Sequence, residues 1–201
     1  MLKNYKAIIL AGGRGSRYNL RNKNKFLKPL VKINKLPVLE RVIRIYKSQG
    51  IKKFIILGGY KYESLKIFSK KISKKYTNLE IKSVFTGINT NTAGRLLKIK
   101  SLIKNEIFFF TYGDSIANFN LKKALKKKNK KNFTISVFNY SLPYGELEIR
   151  AEILKKINEK NKNLYINAGF YILDSDVFKY IKNFKESFEK TTINKILKMK
   201  K

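Results

Sequence analysis

The sequence predicts an α/β fold with a largely parallel sheet, and three observations carry that reading. Short apolar runs alternate with amphipathic stretches along the chain. The first run, residues 6–10, is apolar on nearly every position, as a parallel strand covered on both faces should be. The most strand-like run, residues 107–111, ends in Tyr112-Gly113-Asp114, and open α/β sheets bind ligands outside the carboxyl ends of their strands.

The elements follow in order. After strand 6–10 comes a glycine-rich loop, then a polar, basic stretch over residues 18–25 without periodicity. Phe26-Leu27-Lys28-Pro29-Leu30 returns to apolar character, and Pro29 biases Lys28 toward an extended conformation. Pro37 starts a helix in which Val38, Leu39, Val42, Ile43 and Tyr46 recur at helical spacing until Gly50 stops it. A strand at 54–57 turns out through Gly58-Gly59-Tyr60 into a helix at 63–75, followed by an alternating strand at 79–85.

Residues 86–92 are a loop by composition, and Ala93-Gly94-Arg95 leads into a helix carrying Leu96, Leu97, Ile99, Leu102 and Ile103. Beyond strand 107–111, a lysine-dense outer helix is expected over 121–132. Strands follow at 133–138, 147–150 and 153–157, with a turn around Pro143, Tyr144 and Gly145. The strand 165–173 is interrupted by Gly169, and a glycine inside a strand marks close approach of a ligand or another backbone. Helices are expected at 176–184 and 191–201.

The stretch Leu10-Ala11-Gly12-Gly13-Arg14-Gly15-Ser16-Arg17 is where chemistry concentrates. Glycines let bare N–H groups approach an anion, and arginines add fixed positive charge, so a phosphate-holding loop is one reading and an ordinary strand-to-loop turn the other. Neither a P-loop nor a dinucleotide fingerprint fits, since no Gly-Lys-Ser/Thr ends it and Tyr18 stands where a third glycine is needed.

Composition removes whole classes of mechanism. The chain has no Cys and no His, which excludes thiol nucleophiles, disulfides, imidazole acid–base chemistry and Cys/His zinc sites. Net charge is +33, from 46 Lys+Arg against 13 Asp+Glu, but the lysines are scattered over most segments rather than gathered on one face, so no specific nucleic-acid partner is expected. No apolar run reaches the length of a membrane span, and a cytoplasmic protein is expected. Aspartate occurs only at 114, 174 and 176. Asp114 is the natural candidate for a metal ligand at the crevice, and a turn cap is its other reading.

In register along almost the whole chain, several short words resemble the sugar-nucleotidyltransferase family: Leu10 to Arg17, Lys28-Pro29-Leu30, Lys35-Leu36-Pro37-Val38-Leu39, Gly113-Asp114, Glu159-Lys160 and Asn167-Ala168-Gly169. Thr86-Gly87, Thr92-Ala93-Gly94-Arg95-Leu96 and Phe110 to Asp114 look most like the glucose-1-phosphate cytidylyltransferase branch. The resemblance implies a Rossmann-like three-layer α/β/α nucleotidyltransferase fold with a mostly parallel mixed sheet. It implies a single domain over residues 1–201 that lacks the family's C-terminal end.

The activity so implied joins a nucleoside triphosphate, CTP first, to a sugar 1-phosphate, glucose 1-phosphate first, releasing pyrophosphate with Mg²⁺ as cofactor. The attacking phosphate is already ionised, so the chemistry needs positioning and charge neutralisation rather than a general base. By the same resemblance, Leu10, Ala11, Gly12 and Gly13 cradle the nucleotide. Gly15, Ser16 and Arg17 hold its phosphates, Arg17 bearing on the departing pyrophosphate, and Lys28 contacts the phosphate under attack. Thr90, Thr92 and Arg95 lie near the base and phosphates, Gly113 lies near the ribose, and Asp114 binds Mg²⁺. Gly145, Glu159, Lys160, Asn167 and Gly169 receive the sugar phosphate.

Two departures qualify the match. The segment 70–85 is shorter than in the cytidylyltransferase branch, and no aspartate follows Asp176 where the family places a second metal-binding carboxylate. A catalytically weak nucleotide-binding relative, or a transferase for another nucleotide or phosphorylated acceptor, is the alternative. The number of subunits, homo-oligomers included, is left open.

Overall fold

The computed structural model describes residues 2–15, 26–128, 133–141, 144–158 and 163–199. Its centre is a six-stranded sheet built from β1 (Lys6–Leu10), β4 (Lys53–Gly58), β5 (Glu80–Phe85), β6 (Ile107–Tyr112), β7 (Thr134–Ser141) and β10 (Asn163–Asp174), in the order β5-β4-β1-β6-β10-β7. The pairings β4–β5, β1–β4 and β1–β6 are parallel, whereas β10 runs antiparallel to both β6 and β7. This is the mostly parallel mixed sheet implied by the sequence.

The period of two along each strand splits the core into two layers. Ala7, Ile9, Phe54, Ile56 and Phe109 pack on one face, against Leu39, Val42, Ile43 and Tyr46 of α1 (Val38–Ser48) and Leu65, Phe68 and Ile72 of α2 (Tyr62–Lys75). Ile8, Leu10, Ile55, Leu57, Phe108 and Phe110 pack on the other, against Leu96 of α3 (Thr92–Leu97) and Phe178, Phe188 and Ile196. Both faces of β1, β4 and β6 are therefore covered, which is why those strands read as near-continuous apolar runs, whereas the edge strand β5 alternates.

Several expected elements are shortened. The helix expected through Ile103 is α3 followed by a separate 3₁₀ turn at Lys100–Leu102, with Ile99 at φ −109°. β-Branched residues and Ser101 give little helical propensity to hold it together. The lysine-dense helix α4 (Leu121–Lys127) ends at the extended Lys128, whose ammonium pairs with Asp174 at 3.1 Å, and residues 129–132 lie outside the described set.

The helix expected at 176–184 is a 3₁₀ segment, Ser175–Tyr180, capped by the Asp174 carboxylate. It stops because buried Glu186 accepts the Lys182 N–H, the Asn183 side-chain amide and the Lys195 ammonium, folding the chain back. The terminal helix begins earlier than expected, as a π turn at Phe188–Ile193 leading into α5 (Asn194–Lys198).

Lys28 is not extended: it opens a 3₁₀ turn, Lys28–Leu30, in which Pro29 occupies a position that needs no donor, and Leu27 is the extended residue at φ −76°, ψ 106°. Two further ribbons were not expected as such or only in outline. A short hairpin pairs β2 (Lys32–Ile33) with β3 (Leu36–Pro37), and β8 (Glu146–Arg150) pairs with β9 (Ile153–Asn158). The β8–β9 hairpin and the outer parts of β7 and β10 leave Val137, Phe138, Ile149, Ile153 and Tyr165 exposed. Among the described residues no helix is long and apolar enough to cross a membrane.

Candidate active site

The carboxyl ends of β1 and β6 open onto a cleft of about 280 Å³. Leu10 and Ala11 leave β1 directly into its wall, and Gly12, Gly13 and Gly15 form one side. Gly15 sits at φ +60°, in the left-handed region that glycine enters without penalty. Lys28 and Pro29 close a second side, Thr90, Asn91, Thr92 and Arg95 a third, and Tyr112 and Asp114 come from the end of β6. Ser16 and Arg17, like Glu159 and Lys160, lie outside the described residues.

At the mouth, the Lys28 ammonium lies 2.7 Å from the Asp114 carboxylate, with side chains 47% and 31% exposed. These two groups are 86 positions apart in sequence and meet because β1 and β6 are adjacent strands. The Gly113 N–H donates to the Leu10 carbonyl at 2.8 Å, continuing the β1–β6 junction past the strand end. A Cβ on Gly113 would stand 3.1 Å from that oxygen and 3.2 Å from Pro29 Cβ, so Gly113 sits behind the wall and brings Pro29 close rather than facing the cleft.

Arg95 lines the cleft and also has partners within the protein. The residue is 4% exposed, and both terminal nitrogens of its guanidinium donate to protein acceptors. Nη1 donates to the carbonyls of Gly58 and Gly87 and to the Thr86 hydroxyl, at 3.0, 2.8 and 2.7 Å, and Nη2 donates to the Gly12 carbonyl at 2.9 Å. Burial pulls its pKa below the ordinary arginine value, yet a guanidinium stays charged at neutral pH.

Thr92 too has partners within the protein. Its hydroxyl accepts the Phe188 N–H at 2.7 Å, the Ala93 N–H donates to the Glu186 carbonyl and the Asn91 N–H to the Phe184 carbonyl. The segment 184–188 thus closes the start of α3, and the Thr92 hydroxyl bonds to that segment while the residue lines the cleft. Thr90 keeps its place on the cleft wall.

Of the residues expected to receive the sugar phosphate, the described ones, Gly145, Asn167 and Gly169, do not line this cleft. Asn167 is spent on its own strand: its carbonyl oxygen accepts the Gly169 N–H and its amide donates to the Tyr171 hydroxyl. The register of β10 against β7 shifts between Asn167 and Tyr171, and Gly169 at φ +78° carries the bulge. Thr111 donates to the Gly169 carbonyl and Ser136 to the Phe170 carbonyl, so the bulge has full partners. Gly169 packs behind Tyr112 of the cleft wall, where a Cβ would lie 3.0 Å from the Tyr112 ring. Gly145 is exposed at the foot of the β8–β9 hairpin.

What sequence reasoning missed is the company Arg95 keeps. The sequence shows Gly58-Gly59 only as a turn, but Gly58 ends β4, and a Cβ on Gly59 would meet Arg95 Nη1 at 2.3 Å. Pro29, Asn91 and Tyr112 also line the cleft without having been singled out. Repeated glycines at the ends of neighbouring strands were the available signal.

A divalent ion finds one carboxylate here. Among the described residues no group of three metal-binding acidic side chains exists, and Asp114 is the single acid on the cleft wall. That donor set fits an ion held chiefly by substrate phosphate oxygens, as Mg²⁺ commonly is, and does not make an all-protein cage.

The comparisons with known proteins agree with this architecture. The chain is 32% identical over 197 residues to the "Probable glucose-1-phosphate cytidylyltransferase" of Bacillus subtilis, covering 88% of this chain and 77% of that protein. It is 32% identical over 202 residues to the glucose-1-phosphate cytidylyltransferase of Salmonella typhimurium, covering 89% and 78%. It superposes on the crystal structure of HddC from Yersinia pseudotuberculosis complexed with GMP-PN at a TM-score of 0.72 and 26% identity, covering 92% of this chain and 84% of that one. The nucleotidyl transferase family model matches residues 6–200, and with its glycine loop, Lys28 and Asp114 gathered at the strand ends, the chain belongs to that family.

Proposed function

We propose that this protein transfers a nucleotidyl group from a nucleoside triphosphate, CTP in the first instance, to a sugar 1-phosphate such as glucose 1-phosphate. The observation that carries the reading is the Lys28–Asp114 pair at the mouth of a glycine-walled cleft. A phosphate oxygen of the sugar phosphate attacks the α-phosphorus, the bond to the β-phosphate bridging oxygen breaks, and pyrophosphate leaves with that electron pair. No proton transfer is required, which suits a chain without histidine.

Backbone N–H groups of the loop after β1 hold the triphosphate, and Ser16 and Arg17, next in sequence, are assigned to its phosphates. The Lys28 ammonium neutralises charge developing on the α-phosphate, where preorganised cations contribute most. Asp114 and triphosphate oxygens would hold Mg²⁺, which when bound supplies further neutralisation of the phosphates. The choice of cytosine and glucose is supported by the names of the relatives from Bacillus subtilis and Salmonella typhimurium.

A guanine nucleotide is the second reading, supported by the GMP-PN complex of the similar HddC fold. Purified protein with Mg²⁺, assayed for pyrophosphate release over a panel of five nucleoside triphosphates and several sugar 1-phosphates, decides between them. Release with CTP and glucose 1-phosphate above all other pairs is expected. Release from none of the pairs overturns the enzyme reading, and nucleotide binding without turnover would leave a binding module.

A further inference from the structure

We infer that Arg95 is a positioning residue that shapes the nucleotide loop from inside: its buried guanidinium gathers three glycine-bearing turns and thereby aims the Gly13 N–H at the cleft. The turns follow three neighbouring parallel strands, β1, β4 and β5; single backbone bonds link them in pairs, Tyr60 N–H to the Gly12 carbonyl and Thr86 N–H to the Gly58 carbonyl, and the Arg95 guanidinium reaches all three. One planar cation with several fixed donors can satisfy carbonyls from all three, which an ammonium of one point charge cannot do in the same geometry.

The glycines themselves report this. A Cβ on Gly12 would lie 2.5 Å from Arg95 Nη1 and 2.7 Å from its Cζ. A Cβ on Gly59 would lie 2.3 Å from Nη1 and 2.6 Å from Nη2. Gly13, by contrast, has nothing within 4 Å of the equivalent point and is exposed. Gly12 is therefore a glycine for the sake of the guanidinium and of the Gly58 carbonyl carbon, 2.7 Å from the same point, whereas Gly13 leaves open space toward a ligand.

Peptide geometry connects the clamp to the ligand side. Across a trans peptide the carbonyl of one residue and the N–H of the next point to opposite sides, and the described peptides are trans. The Gly12 carbonyl is drawn inward by both Arg95 Nη2 and the Tyr60 N–H, at 2.9 and 3.1 Å. The Gly13 N–H is accordingly turned outward, where an anion would accept it. Among the described residues Arg95 forms no ion pair with a carboxylate, so its charge lies under the cleft wall balanced by carbonyl dipoles and one hydroxyl alone. An anion in the cleft would complete that balance.

The test uses Arg95→Lys, Arg95→Ala, Gly12→Ala and the Gly12→Ala/Arg95→Ala double variant, with Thr86→Val as a milder perturbation of the same clamp. Thermal melts and calorimetric titration with CTP and with inorganic pyrophosphate are the readouts. Gly12→Ala is expected to lower the melting temperature in the parent and by less on Arg95→Ala, where the guanidinium contacts are gone and only the Gly58 backbone contact remains. Arg95→Lys, folded and carrying the same charge, is expected to bind pyrophosphate about 100-fold more weakly, the loss that misplacement of about 1 Å produces.

Thr86→Val is expected to weaken binding in the same direction with the protein folded. Arg95→Lys binding within about threefold of the parent would show that charge alone matters and would overturn the proposal, as would a Gly12→Ala cost equal in both backgrounds. The aim of Gly13 at a phosphate rests on the proposed function, whereas the Gly12–Arg95 coupling does not. A parent protein that binds no nucleotide but shows the coupling would refute that function and leave the clamp standing.

Discussion

Lys28 and Asp114 meet at 2.7 Å across the mouth of the cleft, one from the turn after the nucleotide loop and the other from the end of β6. Both are partly exposed, so their attraction is screened and contributes little to stability. Their value lies in where they stand. A phosphate entering the cleft is a better partner for the ammonium, and the carboxylate is then left for a cation.

Asp114→Asn and Lys28→Ala should each lower kcat/KM for nucleotidyl transfer by about 100-fold or more, in line with removal of one preorganised charge from a transition state. Circular dichroism and melting temperature should stay near the parent values. Unchanged turnover in both variants would remove the pair from the chemistry.

Chelation gives a complementary measurement. Pyrophosphate release should cease on excess EDTA and return with Mg²⁺, because Asp114 is the only acid on the described cleft wall and a cation must lean on the substrate. The melting temperature without nucleotide should not move on chelation. A large fall would reveal a structural metal instead.

Glu40 on α1 makes the best-defined acid-sensitive contact. Its side chain is 5% exposed and receives Lys75 at 2.8 Å, the Tyr76 hydroxyl at 2.9 Å and Arg44 at 3.3 Å. Burial by itself raises this carboxyl, but the hydrogen bonds from Lys75 and Tyr76, with the charges of Lys75 and Arg44, outweigh it and hold the pKa below its ordinary 4.5. A depressed carboxyl stabilises the fold above its unfolded pKa, and that contribution disappears as pH falls through the lower folded value. Glu40→Gln should therefore cost about 2 kcal/mol at pH 7 and progressively less below pH 4.5. Denaturant titrations of both proteins across pH 3–7 check this, and a pH-independent difference would count against it.

Gly94 tests the closure of α3 by the late segment of the chain. A Cβ there would stand 2.1 Å from the Phe184 carbonyl oxygen, a backbone atom with no rotamer to yield. Gly94→Ala should destabilise the protein by about 1–3 kcal/mol, the usual cost of overpacking. Hydrogen exchange should rise at Asn91, Ala93 and Phe188, whose N–H groups this contact holds in register. Unaltered exchange would mean that the segment is anchored independently of α3.

Sequence reading reached the central strands well because β1, β4 and β6 are buried on both faces, and it reached α1 because its apolar positions repeat at helical spacing. Lys28 and Asp114 were legible for similar reasons: one precedes a proline and the other follows the most apolar strand. It did not show that the polar groups of Asn167 and Thr92 have partners within the protein, at a bulge and in residues 184–188. Local pattern has no means of showing which partner, 96 positions away, will claim a hydroxyl.

The amino-acid sequence alone determined the layered α/β scheme, the exclusion of thiol and imidazole chemistry, and the loop and acid that frame the cleft. Those depend on local spacing and residue type. Only the tertiary structure decided what Arg95 does. A guanidinium satisfied by the Gly12, Gly58 and Gly87 carbonyls exists only once three strand ends lie side by side, and that convergence is written in the sheet order rather than in any short stretch of chain.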